Sequence, residues 1–504
     1  MVRNSVDDPY FKLSEKYLKK AIACDPAFTH GYYVVAGLFN KVNLTDSSVY
    51  YLKMGIGKNA ADPSLYRALG NDYFELGDTL KAESAYQKAL STDSLDISNY
   101  ITLSEFYNNL GAKGVGQAFK YAQKAIQLDT ASSAAYSSLA DIYYEQETYD
   151  KAILNYQRAI TLGPNNADLF NNLGNTYFYQ QDVGHAIINY QKAIELDTTF
   201  AIAYNNLGAC FYIKKEFAKA IVDYQKAVAL DSTYSNAYKN LGNIYTSLKQ
   251  YDKAIINYKK AISLDKGNAL LYNALGNVYY FINSYDTAIV YHKKAVELAP
   301  TDARSYNDLG SDYDQLNKPD MAAIYYQKSI EADSSHALPY LNLGDIYLNK
   351  KAYDKALVYY QTALKRNPAS PLVYTKIANV YREVKDYGKE IYYYDKAISL
   401  DSTINYHFQD IGFAYVYSKD YKNGLIYLQK AVKFYPNDPA VYYNVACGFS
   451  LANDTDMGIK YLEMALQKGF KDYKTLTTDP NIANLRKLDA FSRLMKQYFP
   501  GNGK

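Results

Sequence analysis

The side chains in this sequence best spaced for binding chemistry are asparagines. Asn172, Asn206, Asn240, Asn342 and Asn444 recur at intervals of 34 residues or multiples of it, with Asp308 and Asp410 in the same register. Three residues further on stand Asn175, Asn243, Asn277 and Asn379, with Asp141 and Asp345. On a helix, residues three apart share a face. An Asn amide carries both a donor and an acceptor, so a row of them can hold an extended peptide backbone largely independently of its side chains. Aromatics follow at a constant offset: Phe74, Tyr144, Phe178, Tyr212 and Tyr280. Together they describe a groove suited to a peptide, with a glycan as the alternative ligand and plain solvated helix surface as the reading without function. The amides are densest between 171 and 243, which selects Asn172, Asn206 and Asn240, with Phe178 and Tyr212 beside them, as backbone-binding residues.

Other reactive residue types form no such pattern. His30, His185, His292, His336 and His407 occupy different registers and make no metal-spaced set. Cys24, Cys210 and Cys447 are too far apart along a repeat array to pair, so neither a disulfide framework nor a metal cluster follows. Gly111, Gly114 and Gly116 imitate a nucleotide loop but follow no strand, and read as a flexible turn. Carboxylates are abundant, yet no acid–base pair stands out. The expectation is a protein without catalytic residues, cofactor or metal.

The elements that position the asparagines repeat with them. Gly174, Gly208, Gly242, Gly276, Gly310 and Gly344 lie 34 residues apart, and the comb continues through Ala378, Gly412 and Ala446. Backwards it reaches Ala140 and, after a two-residue slip, Ser104, Gly70 and Ala36. About 13 repeats therefore run from roughly 29 to 472. With the marker glycine as register 8, register 4 is always aromatic, register 7 mostly Leu and register 11 Tyr or Phe, as in Phe170, Leu173 and Tyr177. These spacings define one helical face. Registers 20, 24 and 27, as in Ala186, Tyr190 and Ala193, define a second helix. Small residues at 8, 20 and 27 let the two helices approach closely. The Asp of Tyr-Asp-Lys-Ala (149–152, 251–254, 353–356) falls at the start of that second helix, where an acid suits both free amides and the dipole. No strand-like alternation appears, so an all-α solenoid of helix pairs is expected.

This pattern resembles the tetratricopeptide repeat family over about nine-tenths of the chain. The resemblance implies a right-handed superhelix whose first helices line a concave face, and it implies no catalysis. Similar asparagine ladders mark the repeat arm of O-linked N-acetylglucosamine transferases, where they hold the protein substrate. Residues 473–504 break the comb and resemble the closing segment of many bacterial members, expected to cover the last repeat. Residues 1–28 read either as half a repeat, which would make this a piece of a longer protein, or as a native capping helix.

Two local departures carry expectations of their own. Glu390 replaces the usual Ala at register 20, which predicts a local distortion or hinge and a carboxylate that reaches solvent or a partner such as Lys385 or Lys389; Gly424 and Gly458 in that slot should loosen the following repeats. Register 23 changes from Asn155, Asn189, Asp223 and Asn257 to Tyr291, Tyr325, Tyr359, Tyr393, Tyr427 and Tyr461. This tyrosine ridge is either a second interface for self-association or repeat packing. Most of the 59 tyrosines fall on lattice positions and are structural.

With 55 basic against 52 acidic residues, composition offers no case for nucleic acid. No apolar run suits a membrane span, so no direct membrane insertion is expected. No targeting segment stands out, so the location is cytoplasmic unless the chain is part of an anchored or exported protein. The functional expectation is a non-enzymatic scaffold binding an extended peptide or partner segment in its concave groove. The alternatives are the substrate-recruiting arm of a larger enzyme, such as a glycosyltransferase, and a self-associating scaffold, a homo-oligomer.

Overall fold

The computed structural model describes residues 9–500; the N-terminal octet and the last four residues lie outside it. Among the described residues there are thirty α-helices and no strand. Long helices alternate between a first helix of 11–13 residues, such as Ala167–Tyr179, and a second of 13–14, such as Val183–Leu196. Contacts divide the chain into two compact units, 1–253 and 254–504. Each is built of such antiparallel pairs, the architecture the periodicity predicted.

The repeat code has a physical basis at registers 8, 24 and 9. A β-carbon added to Gly174 would lie 2.7 Å from the Tyr190 ring, so glycine here lets that ring approach the first helix closely. Tyr190 is 2% exposed, and its hydroxyl donates to Asn175 Oδ1 at 2.8 Å. The same fifteen-residue bond joins Tyr86 to Asn71, Tyr156 to Asp141, Tyr360 to Asp345 and Tyr394 to Asn379. Register 9 therefore answers a buried hydroxyl that would otherwise be left unsatisfied. Registers 20 and 27 are Ala at 0% exposure through most of the array, including Ala186 and Ala193.

A recurrent turn joins the two helices. Glu147, Gln181, Lys215, Lys249, Asn283, Asn317, Lys351, Lys385, Lys419 and Asn453, again 34 apart, hold φ between 53° and 69°. Asp182 N donates to Tyr177 O at 2.8 Å and Gln181 N to Phe178 O at 3.0 Å, the double bond of a left-handed helix stop. The second helix then starts on an aspartate where one is present: Asp182 caps His185 N, and Asp386 caps Lys389 N. In two of the Tyr-Asp-Lys-Ala repeats the cap positions Thr148 and Ala352 make no side-chain capping bond to the helix they precede. Asp150 and Asp354 lie in the first turn and serve the dipole, not the cap.

Several local expectations need correction. Helix Tyr387–Leu400 runs unbroken through Glu390, so no hinge forms there. Glu390 is 2% exposed and reaches neither lysine: Arg382 Nε donates to its Oε1 at 2.9 Å, while Lys389 pairs with Asp386. Gly424 and Gly458 do not loosen their helices. A β-carbon at Gly424 would sit 2.9 Å from Gly412 O, and one at Gly458 would sit 2.7 Å from Leu485, so both permit close packing. Nor is Gly111–Lys113 a loose turn: it is a 3₁₀ turn, and Gly114 lies so close to Tyr107 O that no β-carbon fits.

At the C-terminal end, Leu476, Ile482, Leu485, Phe491 and Leu494 bury themselves against Tyr442, Tyr443, Leu462 and Leu466. Tyr443 Oη donates to Asp479 at 2.7 Å. The segment from 473 thus packs on the last helix pair.

Candidate binding groove

The sequence-selected residues divide into three groups. Tyr144, Asn172 and Asn175 line a hollow of about 360 Å³ with residues of Ile97–Asn109 and Ser133–Glu145. Phe178, Tyr212, Asn240 and Asn243 line a second, of about 220 Å³, with Ala209, Ile213 and Tyr224. Both belong to the first unit. Asn277 belongs to the second, in a hollow of about 390 Å³ shared with Asn273, Asn307 and Asp308. Asn206 lines none of these three.

Asn206 has a different employment. Its Nδ2 donates to Asn171 Oδ1 and Asn175 Oδ1, both at 3.1 Å, and its Oδ1 accepts from Asn205 Nδ2 at 3.2 Å. Asn240 Nδ2 donates to Asn205 Oδ1 at 2.9 Å. The same 35-residue clasp joins Asn342 to Asn307, Asn444 to Gln409 and, with the acceptor reversed, Asn273 to Asp308. Register 5 of one repeat thus meets register 6 of the next. Sequence reasoning missed the buried partners Asn171, Asn205 and Asn307. The Asn-Asn doublets at 171–172 and 205–206 were the available signal.

The amides consequently differ in what they can still offer. Asn172 Nδ2 and Asn240 Oδ1 make no hydrogen bond among the described residues, whereas both ends of Asn206 are committed. The aromatics are half-buried and braced: Tyr144 lies edge-on to Tyr149 and Tyr179, Phe178 edge-on to Tyr179, and Tyr212 against Phe217. Burial pushes the Tyr144 hydroxyl well above the usual tyrosine range, so it stays protonated and can donate.

The tyrosine ridge of the second unit is packed within its own repeats. Tyr291 stacks on Tyr279, Tyr325 on Tyr313 and Tyr359 on Tyr347, each at 5.3 Å between centroids. His292 fills the register-24 slot at 0% exposure, its Nδ1 2.6 Å from buried Asp312 Oδ2. Among the described residues, no group of three His, Cys, Asp or Glu side chains could hold a metal ion. The three cysteines are free, and burial pushes the thiols of Cys210 and Cys447 up to about 12. No helix among the described residues is long and apolar enough to cross a membrane.

Comparison with known proteins agrees with the repeat geometry. Models described as TPR repeat match residues 140–181, 174–212 and 242–281. Models described as tetratricopeptide repeat match 201–234, 223–256, 267–335, 337–370 and 372–404. The Sol locus transcriptional repressor of Clostridium acetobutylicum is 33% identical over 87 residues, which are 17% of this chain and 27% of that protein. The match thus spans about a quarter of that curated relative. The crystal structure of MamA protein is 34% identical, over 34% of this chain and 94% of that one, at a TM-score of 0.31. YrrB, described as a TPR protein with an unusual peptide-binding site, is 30% identical over 36% of this chain and 92% of its own, also at 0.31. The Cut9–Hcn1 structure covers 94% of this chain at 14% identity and a TM-score of 0.41. Repeat models spanning more than half the sequence, with the helix pairs they describe, place this chain in the tetratricopeptide repeat family.

Proposed function

We propose that the first unit binds an extended peptide segment of a protein partner along its first helices, from Ile97–Asn109 to Ser235–Ser247. A tetratricopeptide array supports the broader role of a protein-interaction scaffold. One observation carries the finer reading: two hollows in this unit combine braced aromatic rings with amide groups that still have hydrogen-bonding capacity. Asn172 Nδ2 can donate to a peptide carbonyl, and Asn240 Oδ1 can accept from a peptide amide. Tyr144, Phe178 and Tyr212 supply apolar contact beside them. Because helix pairs fix these side chains beforehand, little ordering is needed on binding.

In this reading the amide row has two jobs. Asn206 and its register-5 partners set the spacing between repeats; Asn172 and Asn240 face the ligand. The test is affinity capture with the whole chain, followed by titration of synthetic peptides tiling a captured partner. Asn172→Ala combined with Phe178→Ala is expected to weaken the binding peptide about ten-fold or more, from the loss of a hydrogen bond and an apolar contact. Helicity should not change. A captured partner whose peptides bind the double variant as tightly as the native chain would remove these residues from the interface.

A further inference from the structure

The hollow that holds Tyr144, Asn172 and Asn175 has an unusual charge balance. Its lining includes Glu105, Asn108, Asp141, Tyr144, Glu145 and Asn172. Three of these are carboxylates and none is basic, in a chain with 55 basic residues to 52 acidic. Among the described residues, Glu105, Asp141 and Glu145 form no ion pair. A second observation is independent of charge: Asn108 Oδ1, on the same lining, is shut off from solvent and has no hydrogen-bond donor. The three carboxylates thus lack a cation and the Asn108 oxygen a donor, although Asp141 already accepts from the Tyr156 hydroxyl.

We infer, building on the peptide-binding reading above, that this hollow receives a lysine or arginine side chain of the bound segment. An ammonium or guanidinium supplies several N–H donors and the missing positive charge in one group. The Tyr144 ring lines the same wall, where an aromatic face would attract that cation. A volume of about 360 Å³ accommodates a long side chain. A metal ion does not fit the donor set, because the acidic groups are not gathered closely enough to chelate one.

The local electrostatics point the same way. Glu105 keeps a solvent-open side chain, yet partial loss of hydration and then the Asp141 charge raise its carboxyl above the ordinary range. Burial raises the Asp141 carboxyl, the Tyr156 hydroxyl opposes the shift, and Glu145 adds to it. A bound cation offsets the cost of desolvation and cancels the mutual repulsion.

The experiment is selection of a phage-displayed random peptide library on the immobilised full chain and on its Glu105→Gln/Asp141→Asn/Glu145→Gln variant. Asp141→Asn keeps an oxygen for Tyr156, as Asn175 does for Tyr190, and circular dichroism checks that the variant folds. Glu105→Gln alone serves if it does not. Peptides selected on the native chain are expected to be rich in Arg or Lys, and the variant should lose that enrichment. A selected Arg peptide should bind the variant about ten-fold more weakly, and so should its Gln counterpart on the native chain, because a charge-assisted hydrogen bond is lost in each. Selection of peptides without basic enrichment overturns this inference and leaves peptide binding standing. Selection of no peptide overturns both.

Discussion

The helix pair at 133–162 and the one at 371–400 occupy equivalent places in the repeat lattice, yet they dispose of their polar groups in opposite ways. In the first unit, registers 12 and 20 are Tyr144 and Ala152: the ring lines a hollow and the alanine closes the helix crossing. In the second, those registers are Arg382 and Glu390, and they pair with each other. Arg382 also reaches Asp410, which takes His407 Nδ1 at 2.7 Å, while its guanidinium lies over the Tyr394 ring. The Asp141 and Glu145 carboxylates of the first unit have no cation; those of Glu390 and Asp410 in the second share one. A repeat lattice offers the same positions again and again. Where their chemistry is spent internally they build structure, and where it is left open they can bind.

The sharpest break in this comparison is Arg382→Ala. It strands the Glu390 carboxylate, whose Oε2 already has no partner, inside the second unit. Only the Glu390 end of this pair is buried, so breaking it should cost about 1–3 kcal/mol, seen as a lowered denaturation midpoint in chemical unfolding. Adding Glu390→Ala, the residue most repeats carry there, should restore most of the loss. Failure of that rescue would mean the arginine matters through its other contacts, not through Glu390.

A smaller effect is pH-dependent. Asp223 stands where neighbouring repeats have Asn189 and Asn257, and desolvation raises its carboxyl to about 6. The folded state then holds this proton more tightly than the unfolded state, so stability falls as pH rises from about 4 to about 6. Asp223→Asn should stabilise by about 1–2 kcal/mol at neutral pH, after allowance for its partial exposure, with the gain vanishing below about pH 4. Thermal melts across this range measure it; a gain independent of pH would assign the effect to packing.

The smallest pair of substitutions separates the two kinds of amide. Asn206→Ala removes three inter-residue hydrogen bonds and should destabilise the first unit by about 1 kcal/mol or more. Asn172→Ala, whose Nδ2 is uncommitted, should change stability by less than about 0.5 kcal/mol. Equal losses would merge the clasp and the open amide into one structural class.

Much of the fold is legible in the sequence because the period is exact through most of the chain and each register carries one residue class. Gly174 and Tyr190 announce close packing at 34-residue intervals, and helix length follows from the apolar spacing. The site is less legible, because its meaning lies in contacts between elements. That Asn175 takes the hydroxyl of Tyr190 is invisible to an argument about one helix face, since the partners sit on different helices. Asn171 falls on the buried side of the same stripe and reveals itself only when the next repeat's Asn206 arrives. Glu390 was conspicuous as a residue out of place, but its partner, eight residues back on the preceding helix, could not be told from the nearer lysines. Glu105 gave no signal at all; its importance comes from what surrounds it.

The most direct measurement is hydrogen exchange by mass spectrometry on the full chain, with and without a peptide selected on it. Slower exchange on binding is expected in the first helices Ile97–Asn109, Ser133–Glu145 and Ala167–Tyr179, with Pro371–Glu383 and His407–Tyr417 unchanged. Protection confined to the second unit would contradict the account.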